Sequence, residues 1–480
     1  MRFRFAAASL AFVAAAISVP RAAGPTDWPQ FRGHESAGAA DQFALPATWS
    51  TTDNVAWVTT IPGRGWSSPI VWGERAYVTS AVSAGKFKEP STGIYGNDYA
   101  AELQRQGLSA EEILKRVSAR DIEVTGEVED VRFMVFAIDV KTGKIAWERE
   151  AHRGKPFGGR HRKNTYASET PVTDGERIYA SFGANVGLFC YAMDGALLWK
   201  REWPPQPVYL DFGTAASPIV HNGRVYIQRD SEGDSFLTAL DAKTGAVIWT
   251  TSRNTLATGG QKSGWATPFI WETPARTEIV TVGKTMVVSY DLEGHELWRL
   301  KGMTQATPTP ITGGGLLFVG SGAQTDAARP MYAIRPGASG DISLTAGTTS
   351  SASVAWFQPK LSAYIPSPLF YRGRLYVVND NGIMQVVDAA SGREIYRARV
   401  GGVGNTFSSS PFASNGRVYI VSEDGDTFVF DAGTDAYVER AKNSLGEMSL
   451  ATPAPVGNGL GLIIRTQTKL YRVQARTTPE

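Results

Sequence analysis

A single carboxylate occupies a position where seven equivalent positions are uncharged. Glu169 precedes the dipeptide Thr170-Pro171, and seven further Ser/Thr-Pro dipeptides are preceded by Ser, Ala or Pro. A carboxylate that is removed from water must be paired with a cation, hydrated or bound to a metal ion. We expect an ion pair between Glu169 and a nearby Arg or Lys, and a metal ion is the alternative.

A cationic segment lies just before this carboxylate. It contains no acid and carries Arg153, Lys155, Arg160, His161, Arg162 and Lys163. Such a concentration of positive charge attracts anionic ligands. The alternative is a solvated, flexible loop, because the segment also contains three glycines, which favour turns.

The Ser/Thr-Pro dipeptides mark an internal repeat that must position these groups. They are Ser68-Pro69, Thr170-Pro171, Ser217-Pro218, Thr267-Pro268, Thr307-Pro308, Ser367-Pro368, Ser410-Pro411 and Thr452-Pro453. Apart from one step of 102 residues, successive prolines lie 40 to 60 residues apart. This spacing is in the range of four-stranded propeller blades.

Each unit continues with the same order of patterns. A β-branched and aromatic run, such as residues 224–227 or 374–377, is followed by a polar turn such as 380–382, which suits a tight hairpin. A third strand and an Asp-to-Gly turn then lead to a last strand that carries Trp or another aromatic residue. The repeat predicts an all-β fold, an eight-bladed β-propeller of four-stranded antiparallel blades.

The last unit lacks its fourth strand. After Pro453 only residues 461–465 and 469–473 have strand patterns, whereas residues 54–59 form an isolated strand pattern near the N-terminus. We expect 54–59 to pair with 469–473, because this pairing closes the ring and covers both sheet edges. The alternative, a loose string of hairpins, would bury little apolar surface.

The propeller geometry predicts where a binding site lies. Loops that precede the inner strands converge at the axis, on the face that also carries the middle hairpins. The candidate binding residues on these loops are Arg64, Trp66, Arg160, Asn164, Tyr166, Lys262 and Trp265. The alternative is that the aromatic residues among them only fill the central funnel.

The long step in blade one contains an insertion, residues 84–130. Ser109 and Glu112 form a capping box ahead of an apolar run, which predicts a partly helical segment. By chain order the insertion lies in the middle hairpin, on the axial face. It is either a lid or partner-docking element, or an insertion without a function.

The first 23 residues have the pattern of a secretory signal peptide. Arg2 and Arg4 precede an apolar run over 5–19 and small residues at 22–24. The alternative is an uncleaved anchor, because Pro20-Arg21 makes the cleavage site imperfect. We expect an exported, periplasmic protein without a transmembrane segment in the mature chain, divided into an extension at 24–49, the propeller at 50–475 and a tail at 476–480.

Composition and motifs exclude several function classes. The net charge of +2 does not provide the clustered basic excess that nucleic acid requires. The chain has no zinc, phosphate-loop or nucleophile-elbow motif, and no catalytic residue is assigned. Its one cysteine, Cys190, lies in a predicted strand between aromatic residues, where a buried structural role is expected.

The blade endings resemble the pyrroloquinoline-quinone-like (PQQ-like) repeat propellers. Residues 139–147 and 241–249 both read Asp-x-x-x-Gly-x-x-x-Trp, the ending that marks this family, and the resemblance extends over 50–475. It implies that each Trp docks against the Gly turn of the next blade. Some members are quinoprotein dehydrogenases that hold the quinone with calcium, whereas others, such as the outer-membrane assembly factor BamB, bind proteins and carry no cofactor.

The resemblance leaves two function classes. In quinoprotein dehydrogenases Glu, Asn and Asp surround calcium, which makes Glu169, Asn164 and Asp211 the candidate calcium ligands here. Many of those enzymes also place an adjacent Cys pair over the quinone, which this chain cannot form. We therefore expect a binding or scaffold propeller, BamB-like in fold and without a cofactor, that binds a protein partner or a small anionic or quinone ligand at its axial face. The alternative is a PQQ- and calcium-dependent quinoprotein dehydrogenase.

Overall fold

Eight sheets, each with four antiparallel strands, form the blades of a propeller in the computed structural model, as the repeat predicts, and one sheet has an additional parallel strand. The structure describes residues 27–43, 45–83, 89–90, 92, 97–123, 130–183, 185–254, 261–323, 327–457 and 461–475. The expected signal peptide, residues 1–23, and the tail, residues 476–480, lie outside the described residues. Among the described helices, none is long and apolar enough to cross a membrane.

Each blade runs from an inner strand at the axis to an outer strand at the rim. Blades one to four consist of Ile70–Trp72, Arg75–Ser83, Val131–Asp139 and Ile145–Gly154; Val172–Thr173, Arg177–Ser181, Leu188–Ala192 and Leu197–Arg201; Ile219–His221, Arg224–Arg229, Phe236–Asp241 and Val247–Ser252; and Phe269–Glu272, Thr277–Val282, Met286–Tyr290 and Glu296–Lys301. Blades five to eight consist of Ile311–Gly313, Leu316–Gly320, Met331–Ile334 and Val354–Gln358; Leu369–Tyr371, Arg374–Val378, Ile383–Asp388 and Glu394–Arg399; Phe412–Ser414, Arg417–Val421, Asp426–Asp431 and Glu439–Ser444; and Ala454–Val456, Gly461–Arg465, Lys469–Val473 and Val55–Thr60.

Blade eight takes its outer strand from the N-terminal part of the chain. Val55–Thr60 lies antiparallel to Lys469–Val473, with Val55 opposite Val473 and Thr60 opposite Lys469. This is the pairing that the incomplete last unit predicts. The buried Arg465 of blade eight also reaches blade one, where its Nη2 donates to the carbonyl oxygen of Thr79 at 2.7 Å.

Tryptophans on five outer strands dock on a glycine turn of the next blade. In blade three, Trp249 Nε1 donates to the carbonyl oxygen of Leu292 at 2.9 Å, and its ring lies over Gly294. A Cβ on Gly294 would approach the indole to 2.7 Å, and its φ of 87° also favours glycine. The other pairs are Trp57 with Gly143, Trp147 with Gly195, Trp199 with Gly245, and Trp356 with Gly392.

Trp298 of blade four differs from these five. It is fully buried in a cluster shared with blade five, and its Nε1 donates to Glu278 Oε2 within its own blade at 2.6 Å. Blade five has a long connection in place of the short turn, and part of it, Gly340–Asp341, pairs in parallel with the outer strand of blade four. The extra strand therefore takes the place of the usual glycine turn.

The residue before each inner-strand proline connects neighbouring blades around the axis. The backbone N–H of Ser410 donates to Thr452 Oγ1 at 2.9 Å, and that of Thr452 donates across the closure to Ser68 Oγ at 3.1 Å. Five further hydrogen bonds of this kind, each 2.9 to 3.1 Å long, run from Ser68 to Thr170, Thr170 to Ser217, Ser217 to Thr267, Thr309 to Ser367 and Ser367 to Ser410. We call these eight residues, Ser68, Thr170, Ser217, Thr267, Thr309, Ser367, Ser410 and Thr452, the hydroxyl collar.

The collar corrects one position of the predicted repeat. In blade five the equivalent dipeptide is Thr309-Pro310, because the inner strand begins at Ile311 and the Thr309 N–H makes the bond to the next blade. The prediction of Thr307-Pro308 was two residues too early. Two consecutive Thr-Pro pairs stand at this point, and the sequence pattern does not distinguish them.

The extension before the propeller crosses the face opposite the collar. We call residues 27–43 the N-terminal strap. The Trp28 N–H donates to Val71 of blade one at 2.7 Å, and the Ala40 N–H donates to Ala413 of blade seven at 2.8 Å. Between them, His34–Ser36 forms a short 3-10 turn that contacts the inner strands of blades four and five. The strap therefore spans the ring.

The insertion of blade one is partly helical, as predicted. It contains helices Asn97–Arg105 and Ala110–Asp121, and Ser109 Oγ accepts the Glu112 N–H at 3.2 Å. Residues 84–88, 91, 93–96 and 124–129 of the insertion lie outside the described residues. After the second helix, Ile122–Glu123 pairs with Arg160–His161, so the insertion contacts the cationic segment.

Replacing Trp249 by Ala should destabilise the propeller by about 3–5 kcal/mol, because the lost indole leaves a cavity over Gly294. Urea unfolding at equilibrium measures this cost. Ile248→Ala is the matched control, since Ile248 is 44% exposed beside Trp249. Equal unfolding midpoints for Trp249→Ala and the parent protein would refute the docking role.

Candidate functional site

An axial cavity of about 240 Å³ lies where the geometry of the repeat places a binding site. The residues of the hydroxyl collar all line it. Its aromatic lining consists of Phe31, Trp66, Phe212, Trp265 and Tyr364. Its further polar lining includes His161, Lys163, Asn164 and Gln305. The cavity thus has an aromatic part and a part rich in hydroxyl groups.

Two indoles of the cavity are held by hydrogen bonds at their polar edges. Trp66 Nε1 donates to the carbonyl oxygen of Lys163 at 2.7 Å, and Trp265 Nε1 donates to that of Gly213 at 2.8 Å. Phe212 packs beside Trp265 with 6.4 Å between the ring centroids. Because their donors are satisfied, the indoles offer mainly apolar surface to a ligand.

The cationic segment is anchored across the cavity. Lys163 Nζ lies 2.8 Å from Glu423 Oε2, in the middle hairpin of blade seven, although Lys163 belongs to the connection between blades one and two. The buried Glu423 carboxylate also accepts hydrogen bonds from the Thr406 and Ser408 hydroxyls at 2.8 and 2.6 Å. These contacts hold the C-terminal end of the segment in place. They do not agree with the alternative of a solvated, flexible loop at this end.

Two side chains of this segment, Arg160 and His161, are held by contacts within the protein. Arg160 is buried, and its Nη1 donates to the carbonyl oxygen of Asn164 at 2.7 Å. His161 Nδ1 accepts the Lys163 N–H at 3.1 Å, and the imidazole packs edge-on against Phe212. Burial, reinforced by the charges of Lys163 and Arg160, lowers the pKa of His161 to about 3. The imidazole is therefore neutral at pH 7.

The three candidate calcium ligands do not fit a shared metal site as they lie. Asn164 Oδ1 already accepts hydrogen bonds from the Thr165 N–H and the Ser168 hydroxyl, at 2.8 and 2.5 Å. Asp211 is exposed at the end of a short 3-10 turn, whereas Glu169 is buried. Within the described ranges, no group of three His, Cys, Asp or Glu side chains is placed to hold a metal ion.

Glu169 is a buried carboxyl without the expected cation. It is only 1% exposed, and none of the described Arg or Lys residues forms an ion pair with it. Burial raises the pKa of Glu169 to about 7, against which a hydrogen bond with Thr214 acts. The prediction of an Arg or Lys partner was wrong, and the side chain is largely protonated in mildly acidic solution.

The remaining sequence candidates lie outside the cavity lining. Arg64 forms a two-pronged ion pair with Glu89 of the insertion, with nitrogen-oxygen distances of 2.6 and 2.9 Å. Tyr166 packs against the apolar cluster between blades one and two. Lys262 donates its backbone N–H to Glu232 at 2.9 Å. Of the predicted binding residues, the structure brings Trp66, Asn164 and Trp265 to the cavity.

Phe31 is a cavity residue that the sequence analysis missed. It belongs to the N-terminal strap and contributes to the lining from the side opposite the cationic segment. The strap has no repeat and no strand alternation, so periodicity offered no signal for it. The strap therefore contributes a side chain to the axial cavity.

Comparisons with known proteins place this architecture among the PQQ-like propellers. The family model described as outer membrane protein assembly factor BamB matches residues 128–331 and 338–477. A search of curated proteins found no match.

Solved structures of similar fold include two enzymes. Quinohemoprotein alcohol dehydrogenase from Comamonas testosteroni is 12% identical with a TM-score of 0.55, covering 96% of this chain and 82% of that chain. The corresponding enzyme ADHIIG from Pseudomonas putida HK5 is 11% identical with a TM-score of 0.52, covering 95% and 82%. BamB from Moraxella catarrhalis is 18% identical with a TM-score of 0.44, covering 63% and 82%. At these identities the two dehydrogenases show a shared fold and nothing about activity.

Glu169→Gln should change how stability depends on pH. The pKa of Glu169 is about 7 in the folded protein and 4.5 ordinarily. Between these values the folded state keeps a proton that the unfolded state has released, so stability falls as pH rises from 4.5 to 7. Gln carries no such charge. Relative to the parent, the variant should therefore gain up to about 3 kcal/mol in unfolding free energy between pH 4.5 and 8.

Urea unfolding at pH 5 and pH 8 measures this difference. Glu148→Gln, on the exposed outer strand of blade one, serves as the control and should show the same pH dependence as the parent protein. If the unfolding free energies of Glu169→Gln and the parent differ by the same amount at both pH values, the raised pKa of Glu169 is contradicted.

Proposed function

Because the chain belongs to the family of the outer membrane protein assembly factor BamB, we propose that it is an exported propeller that binds a ligand or a protein partner at its axial cavity. The observation that carries this proposal is the cavity itself. Fixed indoles and convergent polar groups in one concave site are the usual features of a binding pocket.

The volume of the cavity limits the size of the ligand or side chain that it can bind. At about 240 Å³ it lies slightly below the range of about 300–1,000 Å³ that is usual for pockets of drug-sized ligands. A small molecule can stack on Trp66 and Trp265. A protein partner would instead insert one large side chain and spread its remaining contacts over the surrounding loops.

The insertion of blade one extends this surface. Glu89 receives the ion pair from Arg64 and a hydrogen bond from Gln467 of blade eight at 2.8 Å. On its other side the insertion pairs with the cationic segment through Ile122–Glu123. We include the insertion in the proposed partner surface because it contacts both blade eight and the cationic segment.

The second candidate function is a PQQ- and calcium-dependent dehydrogenase. The fold shared with two quinohemoprotein alcohol dehydrogenases favours it. The donor set of Asn164, Glu169 and Asp211 speaks against it in the present arrangement, and we derive no catalytic step from it. Addition of PQQ with calcium to the purified protein, followed by absorbance and metal analysis after gel filtration, tests this function. Stoichiometric retention of both would show a quinone site and favour this function over a binding role without a cofactor.

Trp265→Ala should weaken binding of the co-purifying ligand or partner about tenfold or more, because an aromatic anchor at the centre of a site carries much of the affinity. The protein is purified from its own host, and what accompanies it is identified by absorbance and mass spectrometry. Calorimetry or pull-down then compares the variants.

Trp203→Ala is the matched control, since Trp203 packs on Phe236 away from the cavity. Glu169→Gln is compared in the same assay, because Glu169 lies next to two cavity-lining residues. Undiminished binding by both Trp265→Ala and Glu169→Gln would place the site on the insertion or on the opposite face.

A further inference from the structure

The hydroxyl collar presents hydrogen-bond donors to the axis. Its eight side chains line the cavity, yet each residue is only 2–5% exposed. Seven of the oxygens accept a backbone N–H from the preceding blade. A hydroxyl group that accepts in this way still carries its own hydrogen.

These hydrogens have no acceptor among the residues that the structure describes. In the portion of the chain that the structure describes, none of the seven hydroxyl groups donates to a protein acceptor. A buried donor without an acceptor is unfavourable by about 1–3 kcal/mol. Acceptor atoms for the collar therefore come from water in the cavity or from a ligand that displaces this water.

The charge of the cavity lining also favours an occupant that carries acceptor atoms. Among the described lining residues there is no Asp or Glu, and Lys163 is the one cation. Lys163 is partly balanced by Glu423 behind it, and His161 is neutral. An occupant with electron-rich oxygens thus meets donors without meeting a carboxylate.

The indoles, the collar and the N-terminal strap border one continuous cavity. Trp66, Trp265 and Phe31 of the strap line it together with the eight collar residues. A ligand that stacks on the indoles therefore lies in the same cavity as the hydroxyl hydrogens.

We propose that the hydroxyl collar is an oxyanion subsite, which binds a carboxylate or phosphate group at the inner end of an axial ligand. This inference rests on the proposed function, because it assigns the chemistry of the same cavity. Hydrogen bonds from hydroxyl groups to an anionic oxygen are short and about twice as strong as those between neutral groups. The aromatic lining takes the remainder of the ligand, so the fitting class is a small aromatic or otherwise apolar acid.

Three probes distinguish this class from its alternatives. Trimesate is a flat aromatic tricarboxylate, its triamide has the same shape without charge, and inorganic phosphate has charge without an aromatic ring. Calorimetry with the full-length protein should show trimesate binding about tenfold or more tighter than the triamide. Detectable phosphate binding would assign the subsite to phosphate-bearing as well as carboxylate-bearing ligands.

Thr267→Val tests the collar directly. It keeps the shape of the side chain and removes one hydroxyl, so trimesate affinity should fall about tenfold. The substitution also leaves the Ser217 N–H without its acceptor and will lower stability. Thr238→Val is the matched control, because Thr238 Oγ1 makes a hydrogen bond of 2.8 Å to Trp249 away from the cavity.

The outcomes separate this inference from the proposed function. Equal trimesate affinity in Thr267→Val and Thr238→Val overturns the collar subsite and leaves an axial ligand site standing. Equal affinity of the parent protein for trimesate and triamide overturns it as well, and this comparison needs no variant to fold. Failure of all three probes to bind at millimolar concentration also overturns it, whereas the Trp265→Ala assay decides the proposed function independently.

Discussion

The hydrogen bond from one blade's backbone N–H to the next blade's hydroxyl is the contact on which the axial region depends. It repeats around the ring, including the step across the closure from Thr452 to Ser68. Because donor and acceptor lie about 3 Å apart, it fixes the spacing of the inner strands and therefore the width of the cavity. Nearer the rim, the contacts between tryptophan indoles and glycine turns fix the distance between the outer parts of neighbouring blades. Two contacts at different radii determine the angle between blades.

Sequence periodicity predicted the parts of the molecule that repeat and missed the parts that do not. Blade number, strand order and the outer strand of blade eight follow from recurring residues, and so does the convergence of Trp66 and Trp265 at the axis. Phe31 comes from a segment without a pattern. The bond between Lys163 and Glu423 joins segments far apart in sequence, which no local spacing indicates. The prediction of an Arg or Lys partner for Glu169 failed for the same reason. The burial of this carboxyl depends on loops from several parts of the chain, which local spacing does not indicate.

The fold and the axial residues carry different information about function. The PQQ-like propeller is common to enzymes and to the assembly factor family, so the ring does not choose between them. The choice depends on the axial groups. Here the amide of Asn164 stabilises its own turn and Glu169 is sealed from solvent, whereas the indoles and hydroxyl groups remain directed to the cavity. This arrangement is the basis of the binding function that we propose.

The shared construction of blade eight constrains the order in which the chain can fold. Arg465 and Ser67, which meet at the seam, are separated by 398 residues. Contacts of such separation form slowly, because a long loop must close first. During synthesis the segment Val55–Thr60 is made before its partner Lys469–Val473. It therefore stays unpaired until nearly the whole propeller has been synthesised. Until then the strand remains open to wrong partners, a hazard that export in an unfolded state or a bound chaperone would reduce.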